Sequence, residues 1–174
     1  STKVPWMWSG RVHETCHGPP NTQMTRRDTL YMKHHRETGE DETTRVRNRH
    51  LIALSRKEDP DNPRWDMYFA NEAFAYAQSL EGEERQEGLD AARVAYKKYL
   101  ERAPWSDESY VANHRMADCL RMMGEHNRAV DIDLQGIKTY PSWADSYVGV
   151  AESYLAVGDF PRVIEFCNLA LSAT

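Results

Sequence analysis

Residues 106–174 are two copies of one unit set 34 residues apart, and this period leaves the chain few architectures to choose from. Ala117 maps to Ala151, Gly124 to Gly158, Ala129 to Val163, Leu120 to Tyr154 and Val130 to Ile164. Small residues and a glycine recurring at such a period are the mark of stacked helical hairpins. Each unit predicts a helix, a tight turn at the glycine, a second helix and then proline. Gly124 and Gly158 suit the left-handed backbone that ends a first helix. Ala117, Ala129 and Ala151 stand where paired helices must approach. Pro141 closes one unit and opens the next, because proline cannot continue a helix.

A third copy, residues 64–104, is distorted. From Ala92 to Pro104 is 12 residues, as from Ala129 to Pro141, so the second helices align. Ala70 aligns with Ala117, but Ala92 follows it after 22 residues rather than 12. The surplus falls at Glu81–Gly88, an acidic stretch with two glycines that predicts a solvated, flexible loop. Three units are about the minimum for a stable stack. Leu169–Thr174 predict the end of a second helix whose outer apolar face is uncovered or meets a partner. Trp143, Tyr147 and Tyr154 fall at helical spacing and read as contacts between helices. Asp131-Ile132-Asp133 has the letters of a metal-binding Asp-x-Asp. On a helix its carboxylates lie about 200° apart and cannot share an ion.

The repeats resemble the tetratricopeptide (TPR) repeat over residues 106–140 and 141–174, with 64–104 as a degenerate copy. The fold expectation is mostly α: a TPR-like helical-hairpin solenoid over residues 59–174, preceded by an irregular or short-stranded N-terminal segment. Charge divides the chain in the same place. Residues 1–60 carry 11 Lys/Arg against 8 Asp/Glu, and residues 61–174 carry 11 against 19. Acidic repeats are poor partners for nucleic acid. No apolar run reaches the length of a membrane-crossing helix. The first residues lack the apolar core of a signal peptide, and without a starting methionine the chain reads as a processed or excised piece. Cys16, Cys119 and Cys167 are far apart and odd in number, which disfavours a disulfide framework and favours a reducing, cytoplasmic setting. Cys119 and Cys167 sit in helical patterns, where a buried free thiol is expected.

Residues 1–40 have no long period. Val4–Val12 and Leu30–His35 are candidate short strands, and Pro19-Pro20 breaks any element between them. Residues 41–58 predict a helix capped by Thr43 or Thr44, with Val46, Leu51, Ile52 and Leu54 as its apolar stripe. Asp59-Pro60-Asp61-Asn62-Pro63 stops it and turns the chain.

Trp8-Ser9-Gly10-Arg11-Val12-His13-Glu14 is the most informative run outside the repeats. Alone, it reads as a surface turn after a strand. His34-His35, Arg47-Asn48, Asp59-Pro60, Pro63-Arg64 and Tyr68-Phe69-Ala70 follow it in order. Together they resemble the C-terminal part of bacterial and phage glycosyltransferases that join a GT-A type catalytic domain to TPR units. The resemblance implies that residues 1–58 are the end of a catalytic domain plus a linking helix. It implies a nucleotide-sugar donor, a glycosyl acceptor, and Mn²⁺ or Mg²⁺ acting as Lewis acid on the leaving diphosphate. His13 matches a histidine that contacts the metal or diphosphate, a role suited to neutral imidazole. Glu14 then either orients His13 or serves as an acceptor-side catalytic base. Trp8 lines the sugar or acceptor pocket. His34 or His35, with Arg36, contacts phosphate or forms a solvated polar turn. The donor half with its Asp-x-Asp is not in this sequence, so the implied transferase needs an N-terminal catalytic domain or chain. His13-Glu14-Thr15-Cys16-His17 lacks the Cys-x-x-Cys partner that a structural zinc site requires.

Two functions compete. In the first, the chain is the C-terminal portion of a metal-dependent glycosyltransferase whose repeats position an acceptor or partner. In the alternative, it is a non-enzymatic TPR adaptor that presents a concave face to other proteins. Its uncovered last repeat is then open to a protein partner or to self-association. Fold class does not decide between them.

Overall fold

A computed structural model describes residues 7–9, 15–17, 42–103 and 107–173. The chain divides into two compact units, Ser1–Asp59 and Pro60–Thr174. In the first, β1 (Met7–Ser9) and β2 (Thr15–His17) pair antiparallel, with Trp8 opposite Cys16. The strand expected within Val4–Val12 is thus present over three residues, and Leu30–His35 lies outside the described residues. The same unit holds α1 (Glu42–Glu58). Thr43 and Thr44 fall inside its first turn rather than at its cap. Ile52 and Ser55 are its buried line. Val46 is exposed, contrary to the expected stripe, because six residues at about 100° each leave it about 120° around the axis from Ile52. The helix stops where the Asp59 N–H donates to the Ser55 carbonyl at 2.9 Å and Pro60 follows.

The second unit is six helices in three hairpins. These are α2 (Arg64–Ala77) with α3 (Gly82–Arg102), α4 (Asp107–Met122) with α5 (His126–Thr139), and α6 (Ala144–Ala156) with α7 (Phe160–Ser172). Each helix packs on its neighbours in sequence, and α4 also meets α6. First helices therefore form one layer and second helices the other. Gly124 and Gly158 turn the last two hairpins at φ +80° and +78°. A Cβ at either would meet nothing within 4 Å, so backbone conformation alone selects glycine there. Both turns share one hydrogen-bond pattern. Gly124 N–H donates to Arg121 and Glu125 N–H to Leu120, as Gly158 does to Leu155 and Asp159 to Tyr154. This pairing satisfies the last carbonyls of each first helix.

The core begins between α2, α3 and α4, where Phe74, Leu89, Tyr96 and Cys119 are buried. Burial pushes the Cys119 thiol up to about 12, so it is an inert packing residue. Ala117, Leu120 and Ala129 form a second cluster between α4 and α5. Trp143 packs edge-to-face on Tyr110 at 4.3 Å between ring centroids, and the Ser146 N–H donates to the Tyr110 hydroxyl at 3.0 Å. Tyr154 meets Phe166 across the last hairpin at 5.9 Å. Trp143 and Tyr154 thus perform the expected inter-helix role, whereas the Tyr147 hydroxyl donates locally to the Pro141 carbonyl at 3.0 Å.

Glu81–Gly88 is not the expected loop. From Gly82 onward it is the first two turns of α3, which runs 21 residues against 14 in α5. Glu, Arg and Gln are good helix formers, and Glu83 and Glu84 sit in the first turn, where the helix dipole favours negative charge. Gly88 lies against α2 so closely that a Cβ would come within 2.9 Å of the Ala77 Cβ. The insertion lengthens a helix, and its glycine serves close packing.

Candidate functional site

A groove runs along the layer of first helices. Asn71 and Phe74 come from α2 and Gln78 from the position just past its end, and Val111, Arg115, Asp118 and Met122 come from α4. His126 at the start of α5 and Glu152 on α6 close its far end. The spacing of three and four residues places each set on one helix face. The larger part of the groove encloses about 420 Å³. Its floor is mixed: Phe74 and Met122 are apolar, and exposed Asn71 and Gln78 offer amides. The Asn71 Oδ1 accepts from the Tyr96 hydroxyl at 2.8 Å, which directs the amide N–H groups elsewhere. The Arg115 guanidinium lies 5.4 Å from the Phe74 ring centroid and 3.4 Å from Asp118. The Nδ1 of His126 is buried with no hydrogen-bond partner among the described residues.

Beneath the α4–α6 end lies a cluster of charges. Asp133 of α5 is fully buried. It accepts a hydrogen bond from Arg121, and its Oδ1 is 3.2 Å from the Nδ1 of His114. Arg121 also donates to Asp118 and lies 3.6 Å from Glu152. Burial pulls the His114 pKa down, but the hydrogen bond to Asp133 and the charges of Asp118 and Asp133 outweigh it and raise it above the ordinary value. Gly149 of α6 covers the pair. A Cβ there would lie 2.5 Å from the Asp133 Oδ2 and 2.7 Å from an Arg121 nitrogen. The glycine inside α6 is therefore what admits a buried ion pair between α4 and α5.

The expectation for Asp131-Ile132-Asp133 holds in that the two carboxylates part: Asp131 is exposed and Asp133 buried. The importance of Asp133 was not read from the sequence, although the 34-residue offset carries a signal. Cys167 stands at the equivalent place, which marks a helix position facing the stack. Cys167 itself is exposed, not buried as expected, because among the described residues no helix lies beyond α7.

Of the residues the glycosyltransferase resemblance singles out, Trp8 lies in β1, while His13, Glu14, His34, His35 and Arg36 lie outside the described residues. Arg47, exposed, and Asn48, half-buried, are neighbours on α1 joined by a 3.4 Å hydrogen bond. Among the described residues, no three His, Cys, Asp or Glu side chains are grouped to hold a metal ion such as Mn²⁺ or Mg²⁺. Among the same residues, no helix is long and apolar enough to cross a membrane.

No family model matches the chain, and no curated protein sequence matches it. Among solved structures it is similar to a chain titled MamA MSR-1 C2, with a TM-score of 0.60 at 17% identity, covering 74% of this chain and 67% of that one. None of these comparisons supports the glycosyltransferase resemblance. At that identity the likeness shows the fold alone, and with the hairpin geometry above it makes the second unit a helical-repeat solenoid of tetratricopeptide-like hairpins.

Proposed function

We infer that this chain is a non-enzymatic interaction module whose groove across α2, α4 and α6 holds an extended segment of a partner protein. The observation that carries this is the groove lining. Phe74 and Met122 offer apolar seats, and Asn71 and Gln78 stand where amides can bind a peptide main chain. Arg115 and Glu152, both exposed, place opposite charges at separate points along the floor. Helical-repeat solenoids bind through such extended surfaces. The partner this lining suits carries an apolar side chain flanked by an acidic residue toward Arg115 and a basic one toward Glu152.

Random-peptide display against the whole chain tests the reading. Selected peptides should share that pattern, and Arg115→Glu should weaken the best of them roughly tenfold or more, as loss of a groove anchor does. An empty selection, or peptides indifferent to Arg115→Glu, sinks it. Sugar transfer with Mn²⁺ that appears only when the chain is joined to an N-terminal catalytic domain, and that His13→Ala abolishes, would instead favour the transferase reading, in which His13 holds the metal and Glu14 acts as base.

A further inference from the structure

Asp118 belongs both to the groove and to the charge cluster beneath it. Its Oδ2 accepts from Arg115 on the groove floor at 3.4 Å. Its Oδ1 accepts from Arg121 and lies 4.0 Å from the Nε2 of His114. The other ring nitrogen of His114 is 3.2 Å from Asp133 of α5. His114 thus stands between two carboxylates, one fully buried and one shared with the groove. Arg121, on the same helix, pairs with both carboxylates, and Glu152 of α6 joins the set through Arg121. Tyr110 stacks on the imidazole at 6.5 Å between ring centroids, and Asp145 of α6 acts on Tyr110. From α3, Tyr96 lies in the field of Asp118 and Arg115. In formal charge, Arg115 and Arg121 face Asp118, Asp133 and Glu152. A proton on His114 makes three cations against three anions.

We propose, on the reading that the groove holds a partner segment, that His114 is a positioning residue that makes the hold on an acidic partner proton-dependent. With an imidazolium beside it, the Asp118 carboxylate is satisfied by His114 and Arg121, and Arg115 is released to meet a carboxylate of the partner. With a neutral imidazole, Asp118 keeps Arg115 for itself, and the partner's carboxylate meets an excess of anions. Water screens this exchange only in part, since the side chains of His114 and Asp118 are 23% and 19% exposed. The raised pKa of His114 puts the change above about pH 6.5. Affinity is full below that value and is lost as pH rises through the folded pKa. By linkage, an acidic partner raises that pKa further when it binds.

Fluorescence anisotropy between about pH 5.5 and 8.5 tests this on the whole chain. The probes are an acidic peptide selected by display on the chain and the same peptide with its acidic residue changed to the amide. The acidic peptide should bind roughly three- to tenfold more tightly at the acid end, the effect of one added charge in a partly wet site. The amide peptide should change much less. His114→Gln, which keeps a side-chain donor for Asp133, should hold the affinity at its high-pH level throughout. His126→Gln should leave the slope in place, because His126 lines the groove outside the set of His114, Asp118 and Asp133. An NMR titration of His114 needs no peptide, and Asp118→Asn should move its midpoint downward. A flat affinity profile, a slope that His126→Gln removes, or a His114 midpoint unmoved by Asp118→Asn overturns the proposal while leaving the groove reading intact. Failure of every peptide to bind at any pH sinks the groove reading, and the role of His114 in it, together.

Discussion

Arg121→Leu isolates the buried charge cluster. In the native stack the Asp133 carboxylate has Arg121 and His114 as its partners and Gly149 as its cover. Removing the guanidinium leaves a buried carboxylate with the imidazole alone. Breaking a buried pair from one side costs about 3–5 kcal/mol, on the order of 10 °C in midpoint for a chain of this size. His114 moderates the loss while it is protonated, so the cost should be smaller near about pH 6 than near about pH 8. The last hairpin supplies the rescue, because it carries Val148, Leu155 and Cys167 where the middle one carries His114, Arg121 and Asp133. Adding His114→Val and Asp133→Cys to Arg121→Leu should bring stability back to within about 1 kcal/mol of the parent, since apolar replacement of a whole buried ion set is close to neutral. Urea unfolding followed by circular dichroism reads all three proteins. The reasoning fails if Arg121→Leu alone changes stability by less than about 0.5 kcal/mol, or if the triple variant falls below the single one.

The raised pKa of His114 makes its share of stability fully present below its unfolded value of about 6.5 and lost as pH rises through the folded one. Urea midpoints across that window should fall with pH, and His114→Gln should flatten the slope. Ala117→Leu should overpack the α4–α5 contact, where Ala117 is fully buried, and lower stability by roughly 1–3 kcal/mol in thermal melts. Deleting Glu81–Gly88 should weaken the helical circular-dichroism signal and the melt together, because it removes the start of α3 that packs on Ala77. An unchanged melt would return the segment to the status of a loop.

Periodicity made the hairpins legible. The offset that pairs Gly124 with Gly158 finds two turns whose backbones agree within 2° in φ, because a left-handed turn tolerates little besides glycine. Composition misled at Glu81–Gly88. Acidic residues and glycine were weighed as solvent-loving, whereas the same glutamates start a helix and Gly88 is set by the distance to Ala77. In sequence, Asp133 stands out only as half of an Asp-x-Asp that cannot share an ion on a helix. Its burial depends on Arg121 twelve positions earlier and on Gly149 in the next hairpin, a three-helix coincidence that no local pattern contains. The groove is likewise invisible in order along the chain, since Phe74, Arg115 and Glu152 meet only after three hairpins have stacked. The N-terminal candidates His13, Glu14, His34, His35 and Arg36 fall outside the described residues.

Gly149 as the roof over Asp133 also sets the order in which the array comes apart. When the last hairpin lifts away, water reaches Asp133 and Arg121, and the solvation they surrendered in the closed stack is recovered. That recovery opposes reclosing, and α7, which has no buried residue of its own, adds little to hold the hairpin down. Opening therefore starts at α6 and α7 while the Phe74–Tyr96 core stays shut, a graded loss of protection along the repeats that amide exchange would register. One wall of the groove, the Glu152 side, belongs to the part that opens. A partner spanning Arg115 and Glu152 fastens that joint as it binds, so its affinity and the stability of the last hairpin rise and fall together.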